Sequence, residues 1–250
     1  MRCLAFVSPL GGVGRTTLAA HCATLLAASG TPVLAFDLSP QNTLGLHLGL
    51  AAPPEQGWQA AVCDGGWLGE AALENSAGVR LLPHGTLAHR TSQPQGWLAE
   101  QLALLDLPTD GVAVLDTPTL PAPMAQQALL CADLVVLVLD VSPRAVHAHA
   151  AWQSWISRLQ PTQRWAVVLN GIDPRSAIRR GTLARLRAQW GERLLPYALH
   201  QDEHVPQAQE RALCVHQSMP QAQAAHDLQG IAAWVSEALG PAPTGRQGAL

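Results

Sequence analysis

The chain has 250 residues, of which 48% are apolar and 13% are charged, and its formal net charge is −3. A chain of this length and composition suits one large α/β domain with a full buried core. The small negative net charge excludes a global field that would attract nucleic acid or an anionic membrane, so any such binding has to be local.

Short apolar runs alternate with longer stretches rich in alanine and leucine, which is typical of a mostly parallel sheet with helices on both faces. Several of the runs are apolar at every position, as buried parallel strands are. We therefore predict a single α/β domain over residues 1–240 with seven to eight strands. The predicted strands, in chain order, lie near 3–8, 33–37, 79–82, 112–116, 134–141, 165–169 and 194–198.

The longer stretches predict helices over 16–29, 144–159, 176–189, 205–212 and 221–239. Gly30 can end the first helix in a left-handed conformation before Pro32. Residues 51–110 are rich in glycine, proline and glutamine and form the least regular part of the prediction. Residues 241–250 lack the apolar content to pack, so we expect a disordered tail.

A glycine-rich loop, Leu-Gly-Gly-Val-Gly-Arg-Thr-Thr, lies between the first predicted strand and the first predicted helix. Such a loop directs backbone N–H groups and a helix N-terminus toward a phosphate, and its glycines let the backbone come close. The phosphate-loop pattern G-x-x-x-x-G-K-[ST] requires glycine at Pro9 and lysine at Arg15, so the sequence departs from it twice. The predicted nucleotide-binding residues in this loop are Gly11, Gly12, Val13, Gly14, Arg15, Thr16 and Thr17.

Two further predicted strands end in an aspartate, Asp37 in one and Asp116 in the other. In an open parallel sheet the carboxyl ends of the strands line the ligand crevice. Because carboxylates and hydroxyls are preferred Mg²⁺ ligands, we predict a magnesium site from Thr16, Asp37 and Asp116. Taken alone, the glycine loop would also fit a tight strand-to-helix turn without a ligand.

With these elements the chain resembles the ParA/MinD superfamily of P-loop ATPases, whose loop reads K-G-G-x-G-K-T-T and whose second strand ends in D-x-D-P-Q. The resemblance implies ATP and Mg²⁺ as cofactors and a homodimer that encloses the nucleotide. The two family lysines correspond to Leu10 and Arg15, and the second acid, which orients the attacking water, corresponds to Ser39. The sequence has no lysine elsewhere. We therefore expect ATP binding with slow turnover, and only Arg15 and Asp37 are left as candidate catalytic residues.

Four further sequence blocks are distinctive in combination: 56–58, 64–67, 81–85, and 194–196 followed by 200–203. In these blocks the chain resembles, within that superfamily, the BcsQ family of bacterial cellulose biosynthesis operons. This resemblance implies a cytoplasmic assembly protein of the cellulose synthase and secretion machinery, recruited to the inner membrane by synthase subunits or a small accessory protein. It also implies that Asn170 reads the adenine edge and that the loop containing Asp202 closes over the base.

Three other signals compete with this interpretation. The segment His200–His204 satisfies H-x-x-E-H, but it precedes Pro206 and is not inside a long helix, so we predict no zinc site. Cys214 and His216 are interpreted as isolated. An arginine-rich segment favours a solvated face or a partner contact, with nonspecific DNA binding by an active ATPase as the alternative. Its members are Arg175, Arg179, Arg180, Arg185 and Arg187.

Cysteine usage and hydropathy indicate a cytoplasmic protein without a membrane span. The five cysteines are scattered and form no C-x-x-C pair, which argues against a disulfide framework. The first residues have too short an apolar run for a signal peptide. The apolar face of the last predicted helix is expected to pack on the core, and membrane association is expected only through partners.

Overall fold

Eight strands form one central sheet in the computed structural model, which describes residues 1–87 and 93–240. The strands are β1 (Arg2–Val7), β2 (Val33–Asp37), β3 (Leu73–Glu74), β4 (Val79–Leu82), β5 (Val112–Asp116), β6 (Leu134–Asp140), β7 (Arg164–Ile172) and β8 (Leu199–His200). Their order is β3-β4-β2-β5-β1-β6-β7-β8. Every neighbouring pair is parallel except β3 with β4, so the prediction of a mostly parallel sheet is confirmed.

Helices lie between the strands along the chain, because parallel neighbours cannot be joined by a tight turn and need a crossover segment. They are α1 (Arg15–Ala28), α2 (Trp58–Cys63), α3 (Trp97–Leu104), α4 (Pro123–Cys131), α5 (Pro143–Ile156), α6 (Ala177–Trp190), α7 (His204–Glu210), α8 (Val215–Ser218) and α9 (Gln223–Leu239). Within the described ranges, no helix is long and apolar enough to cross a membrane.

Two hydrophobic cores lie on opposite faces of the sheet. Alternate side chains of β1 belong to different cores: Leu4 and Phe6 pack with α1 and α9, whereas Ala5 and Val7 pack with α3, α4 and α5. Strands covered on both faces are apolar at nearly every position, which is why the sequence shows runs without alternation. The predicted α/β fold with helices on both faces is confirmed.

The predicted strand 194–198 is wrong. Only Leu194 pairs with β7, through an isolated bridge to Val167, and the last strand forms later, at Leu199–His200. Pro196 explains the shift, because a proline has no N–H to donate to a neighbouring strand.

Residues 51–110 are more regular than the sequence indicated. The described part of this segment contains α2, α3, β3, β4 and a 3₁₀ turn at Leu68–Ala71. The sequence did not predict helix α4 either. Its first residue is Pro123 and two more prolines closely precede it, a composition that is typical of a turn. The predicted tail 241–250 lies outside the described residues.

Candidate nucleotide site

The glycine loop joins β1 to α1 at the carboxyl edge of the sheet. Gly12 and Gly14 have φ of 69° and 91°, values that side-chain-bearing residues rarely adopt. A Cβ atom added at Gly14 would lie 2.2 Å from Nδ2 of Asn170, so this position also has no room for a side chain. Conformation and space therefore both explain the glycine that the sequence places there.

The first turn of α1 leaves its backbone donors available. The first helical hydrogen bond is donated by the N–H of Leu18 to the carbonyl of Gly14, at 3.0 Å. The N–H groups from Arg15 to Thr17 precede that bond and have no helical acceptor. No side chain caps this N-terminus. Unsatisfied N–H groups together with the helix dipole favour an anion such as phosphate.

Three side chains hold the carbonyl groups of the loop. Nδ2 of Asn170 donates to the carbonyl of Val13 at 2.8 Å. Nη2 of Arg144 donates to the carbonyl of Gly11 at 3.0 Å. Nη1 of Arg15 donates to the Ser8 carbonyl at 3.1 Å. The loop conformation is thus fixed by donors bound to its carbonyls.

Two carboxylates lie beside the loop because β2 and β5 are neighbours. Asp37 and Asp116 occupy paired positions of these strands, and neither is exposed to solvent. The Thr16 hydroxyl donates to Oδ2 of Asp116 at 2.7 Å, while Oδ1 of Asp116 is buried without a partner among the described residues. Asp37 accepts the N–H groups of Ser39 and Leu44, both at 3.0 Å.

Burial raises the pKa of both carboxyl groups. Burial is the larger cause for Asp37, and the charge of Asp116 adds to it. Burial raises the pKa of Asp116 to about 6, although the Thr16 hydroxyl and the Arg15 charge oppose the shift. A buried carboxylate oxygen without a partner, beside a hydroxyl and a second carboxylate, is the oxygen donor set that Mg²⁺ prefers. The predicted residues therefore fit the ion.

The three positions that depart from the ATPase pattern differ in their surroundings. Arg15 is 8% exposed, and its Nη2 donates to the Thr119 hydroxyl at 2.9 Å. Burial lowers the pKa of Arg15, and the charge of Asp116 opposes this. Leu10 is half-buried and packs against both cores. Ser39 is buried directly after the Asp37 turn.

Asn170 and Asp202, which are expected near the adenine base, both have hydrogen-bond partners within the protein. The Asn170 amide contacts the loop, as described above. Asp202 accepts the N–H groups of His204 at 2.9 Å and Ala224 at 3.0 Å. Burial acts to raise the pKa of Asp202, but these hydrogen bonds outweigh it and leave the pKa below its usual value. Asp202 thus joins the start of α7 to the start of α9.

The histidines of the H-x-x-E-H segment bind different carboxylates. His200 Nδ1 lies 2.8 Å from Asp227, and His204 Nδ1 lies 2.7 Å from Asp202. His200 ends β8 and His204 begins α7, so the two residues are not one turn apart on a single helix.

The interpretation of Cys214 and His216 as isolated is wrong. The imidazole of His21, on α1, lies edge-on to those of His47 and His216, with ring centroids 5.9 and 5.7 Å away. Nδ1 of His21 bonds the Thr17 carbonyl at 2.7 Å, and Nε2 accepts the N–H of Val215 at 2.9 Å. His21, Cys214 and His216 have potential metal-ligand atoms within 4.8 Å of one another. Hydrogen bonds already occupy both nitrogens of His21, so this cluster links the loop helix to α8.

Two of the clustered arginines are held at the end of β7. Arg179 donates to the Gly171 carbonyl at 2.7 Å, and Arg180 donates to the Pro174 carbonyl at 2.6 Å. Both guanidinium groups therefore have partners in their own chain.

Arg144 is a site residue that the sequence interpretation missed. It follows a strand that ends in Asp140, and Pro143 begins the next helix. Because basic residues in strand-to-helix connections lie near the carboxyl edge of the sheet, this position was a usable signal.

Comparison with known proteins adds family relationships to this geometry. The family model described as "Cellulose biosynthesis protein BcsQ" matches residues 1–235. The chain is 26% identical over 233 residues to the BcsQ protein of Salmonella typhimurium, covering 90% of both chains. It is 27% identical over 242 residues to the chromosome-partitioning ATPase Soj of Thermus thermophilus, covering 93% of this chain and 94% of Soj. Among solved structures, the septum site-determining protein MinD of Pyrococcus horikoshii, complexed with Mg-ADP, matches with a TM-score of 0.78 at 20% identity, covering 96% of this chain and 97% of MinD.

Proposed function

The chain belongs to the BcsQ family of cellulose biosynthesis proteins, within the ParA/MinD superfamily, and from this premise we propose a nucleotide-dependent assembly role. The protein binds ATP with Mg²⁺, forms a homodimer across the nucleotide and hydrolyses ATP slowly or not at all. It acts in the cytoplasm as an accessory protein of the bacterial cellulose synthase and secretion machinery. Synthase subunits or a small accessory protein bring it to the inner membrane.

The observation that carries the proposal is the buried pair Asp37 and Asp116. This pair lies beside the glycine loop, where the backbone N–H groups at the start of α1 have no helical acceptor. Two neighbouring buried carboxylates are costly without a cation, and one oxygen of Asp116 has no partner in the described structure. Thr16, Asp37 and Asp116 would hold Mg²⁺, directly or through water. When bound, Mg²⁺ neutralises phosphate charge. The MinD relative's Mg-ADP supports this assignment by analogy.

Slow hydrolysis follows from the replaced side chains. Leu10 supplies no charge, and the Arg15 guanidinium already donates to Ser8 and Thr119. The Ser39 hydroxyl cannot accept a proton as a carboxylate would, so no side chain at that position activates water. Loss of a transition-state cation alone costs about 10³-fold or more in phosphoryl transfer. The glycines and threonines that bind phosphate are retained.

The biochemical test measures ATP binding and phosphate release on the same preparation. We expect binding that requires Mg²⁺ and weakens in Asp116→Asn, with turnover near or below about 10⁻³ s⁻¹, the range of sites lacking their transition-state cation. Faster turnover that depends on Asp37 would instead support an active ATPase. Absence of binding to both ATP and GTP would indicate a scaffold that has lost its ligand.

The cellular test measures cellulose output in bacteria that lack this gene. Complementation with the natural chain should restore cellulose, whereas Thr16→Ala should not if nucleotide binding is required. Equal rescue by both chains would separate the cellulose role from nucleotide binding.

The alternative function is an active ATPase that positions DNA or another cargo, favoured by the similarity to the partitioning ATPase Soj. Exposed arginines near α6 would then bind duplex DNA. Salt-dependent DNA binding that disappears in an Arg179→Ala, Arg180→Ala double variant would support it.

A further inference from the structure

We propose that Arg144 is a phosphate-binding residue that acts across the dimer, on the nucleotide held by the second copy of the chain. The inference rests on the proposed function, because it requires two copies that enclose ATP. It places a basic side chain at the rim of the loop, where the side chain of Leu10 carries no charge.

Arg144 is joined to the loop from outside the loop. Its Nη2 atom donates to the Gly11 carbonyl at 3.0 Å and to Oδ2 of Asp140 at the same distance. Half of its side chain is exposed, at 50%, and that of Asp140 is exposed by 24%. The guanidinium therefore lies at the surface and still touches the loop backbone.

Peptide geometry places this guanidinium on the side of the loop away from its own phosphate. In a trans peptide the carbonyl and the N–H point in opposite directions, so the Gly11 carbonyl faces away from the N–H of Gly12. If the loop N–H groups cradle a phosphate, Arg144 contacts the opposite side of the backbone. A second copy that covers the nucleotide approaches this exposed rim of the loop. The Arg144 guanidinium can then reach the phosphates that the second copy holds.

The negative charge of the nucleotide-bound site favours an additional cation such as Arg144. A triphosphate brings several negative charges to a site that already holds Asp37 and Asp116. The sequence offers no lysine, and Arg15 is buried with both terminal nitrogens engaged. Among the described arginines, Arg15 and Arg144 are those that hydrogen-bond the loop segment 8–14.

The present partners of Arg144 can be exchanged for phosphate. A partly exposed ion pair such as that of Arg144 with Asp140 contributes little to stability, because solvent screens both charges. A guanidinium binds phosphate oxygens through paired, charge-assisted hydrogen bonds, which are stronger than a bond to a neutral carbonyl. Moving Arg144 to a partner's phosphate therefore replaces a carboxylate and a neutral carbonyl with a more highly charged anion.

The test compares dimerisation and ATP affinity in Arg144→Ala, Arg144→Lys and the natural chain. Sedimentation measures dimerisation with Mg²⁺ and a non-hydrolysable ATP analogue, and titration at concentrations where the chain is monomeric measures nucleotide affinity. We expect Arg144→Ala to weaken nucleotide-dependent dimerisation by about tenfold or more. Monomer affinity should fall by a clearly smaller factor, because there only the bond from Arg144 to the Gly11 carbonyl is lost. Arg144→Lys should recover part of the loss, and added salt should weaken the natural dimer more than the Ala dimer.

Arg80→Ala is the matched control, because Arg80 is similarly exposed, at 51%, and also pairs with a carboxylate, but lies on β4. It should dimerise like the natural chain, and all variants should keep the natural melting temperature. Unchanged dimerisation in Arg144→Ala would overturn the inference, and so would an equal loss of monomer affinity, which indicates a contact within one copy. If the natural chain binds ATP but stays monomeric, this inference fails while ATP binding stands; if it binds no ATP, the proposed function fails as well.

Discussion

Three features of the environment of Asp116 follow from its position at the end of β5. It is buried, it accepts the Thr16 hydroxyl, and it lies opposite Asp37 in the sheet. These surroundings raise its pKa to about 6, which makes the carboxylate a strong acceptor for a cation at neutral pH. Removal of either acid would leave the other buried with fewer neighbouring charges, so the two residues have to be tested separately.

The buried histidines predict a stability that falls in mild acid. Burial lowers the pKa of His21 to about 3 and that of His47 to about 4. At pH values below about 6.5, the ordinary pKa of histidine, the imidazoles of the unfolded chain bind protons, whereas the buried imidazoles of the native state stay neutral. Each such histidine therefore costs about 1.4 kcal/mol per pH unit as the pH falls from about 6.5 toward its native pKa. Asp116 acts in the opposite direction, because its raised pKa makes the native state bind more protons.

The variant His47→Leu isolates the histidine contribution. Nδ1 of His47 is buried without a partner in the described structure, so an apolar side chain of similar size should be tolerated at pH 7. Between pH 7 and pH 5 this variant should lose about 2 kcal/mol less unfolding free energy than the natural chain. Urea unfolding at both pH values measures the difference. The exposed His226→Leu is the control, and an equal pH slope in all three chains would contradict the prediction.

Helix α2 shows what an element from the irregular segment contributes to the site. Its fully buried Trp58 donates Nε1–H to the Asp37 carbonyl at 2.8 Å. The indole also packs edge-on to Phe36 and lies 5.3 Å, centroid to centroid, from Trp97 of α3. The segment 51–110 thereby supports the end of β2, where Asp37 enters the site.

At the scale of this element, Trp58→Phe should destabilise the protein by about 1–3 kcal/mol, because it removes a buried hydrogen bond and leaves a small cavity. It should also weaken Mg²⁺-dependent ATP binding, since the Asp37 backbone loses its anchor. Trp67→Phe is the control, because Trp67 is 47% exposed and should change stability by less than about 0.5 kcal/mol. Equal losses in urea unfolding for both variants would show that α2 has no special link to Asp37.

The whole molecule is two cores that share one sheet, so a ligand at the sheet edge is coupled to the stability of both. ATP with Mg²⁺ at about 100 times its dissociation constant should stabilise the chain by about 2.7 kcal/mol. For a domain of this size that corresponds to a rise of about 5–10 °C in the melting temperature.

The rise should vanish in Asp116→Asn, because the replaced carboxylate is the one beside Thr16. The exposed Asp64→Asn serves as the control and should keep the full rise. Differential scanning calorimetry with and without ATP and Mg²⁺ measures both. A natural chain that shows no rise at saturating ATP, or an Asp116→Asn chain that shows the full rise, would argue against the predicted cation site.

The sequence alone was sufficient for the features set by local chemistry. Buried parallel strands need uninterrupted apolar runs, a phosphate loop needs glycines with positive φ, and acids at strand ends are recognisable in the sequence. The fold class, the loop and the placement of Asp37 and Asp116 at the carboxyl edge of the sheet follow from these local patterns and the rules of parallel sheets. The direct pairing of the two acids depends on β2 and β5 being neighbours, which only the tertiary structure shows. The missed elements were those in which prolines or glycines obscured a short helix or strand.

Only the tertiary structure decided which distant side chains support the site. Arg144 reaches the Gly11 carbonyl from 133 positions away, and His21 meets Val215 from 194 positions away. Trp58 binds the Asp37 backbone in the same manner. Such contacts depend on how helices pack on the two faces of the sheet and on where each side chain finds a partner for a buried polar atom. Hydrophobic periodicity carries no information on those pairings, because it reports which face of an element is buried and not what lies against that face.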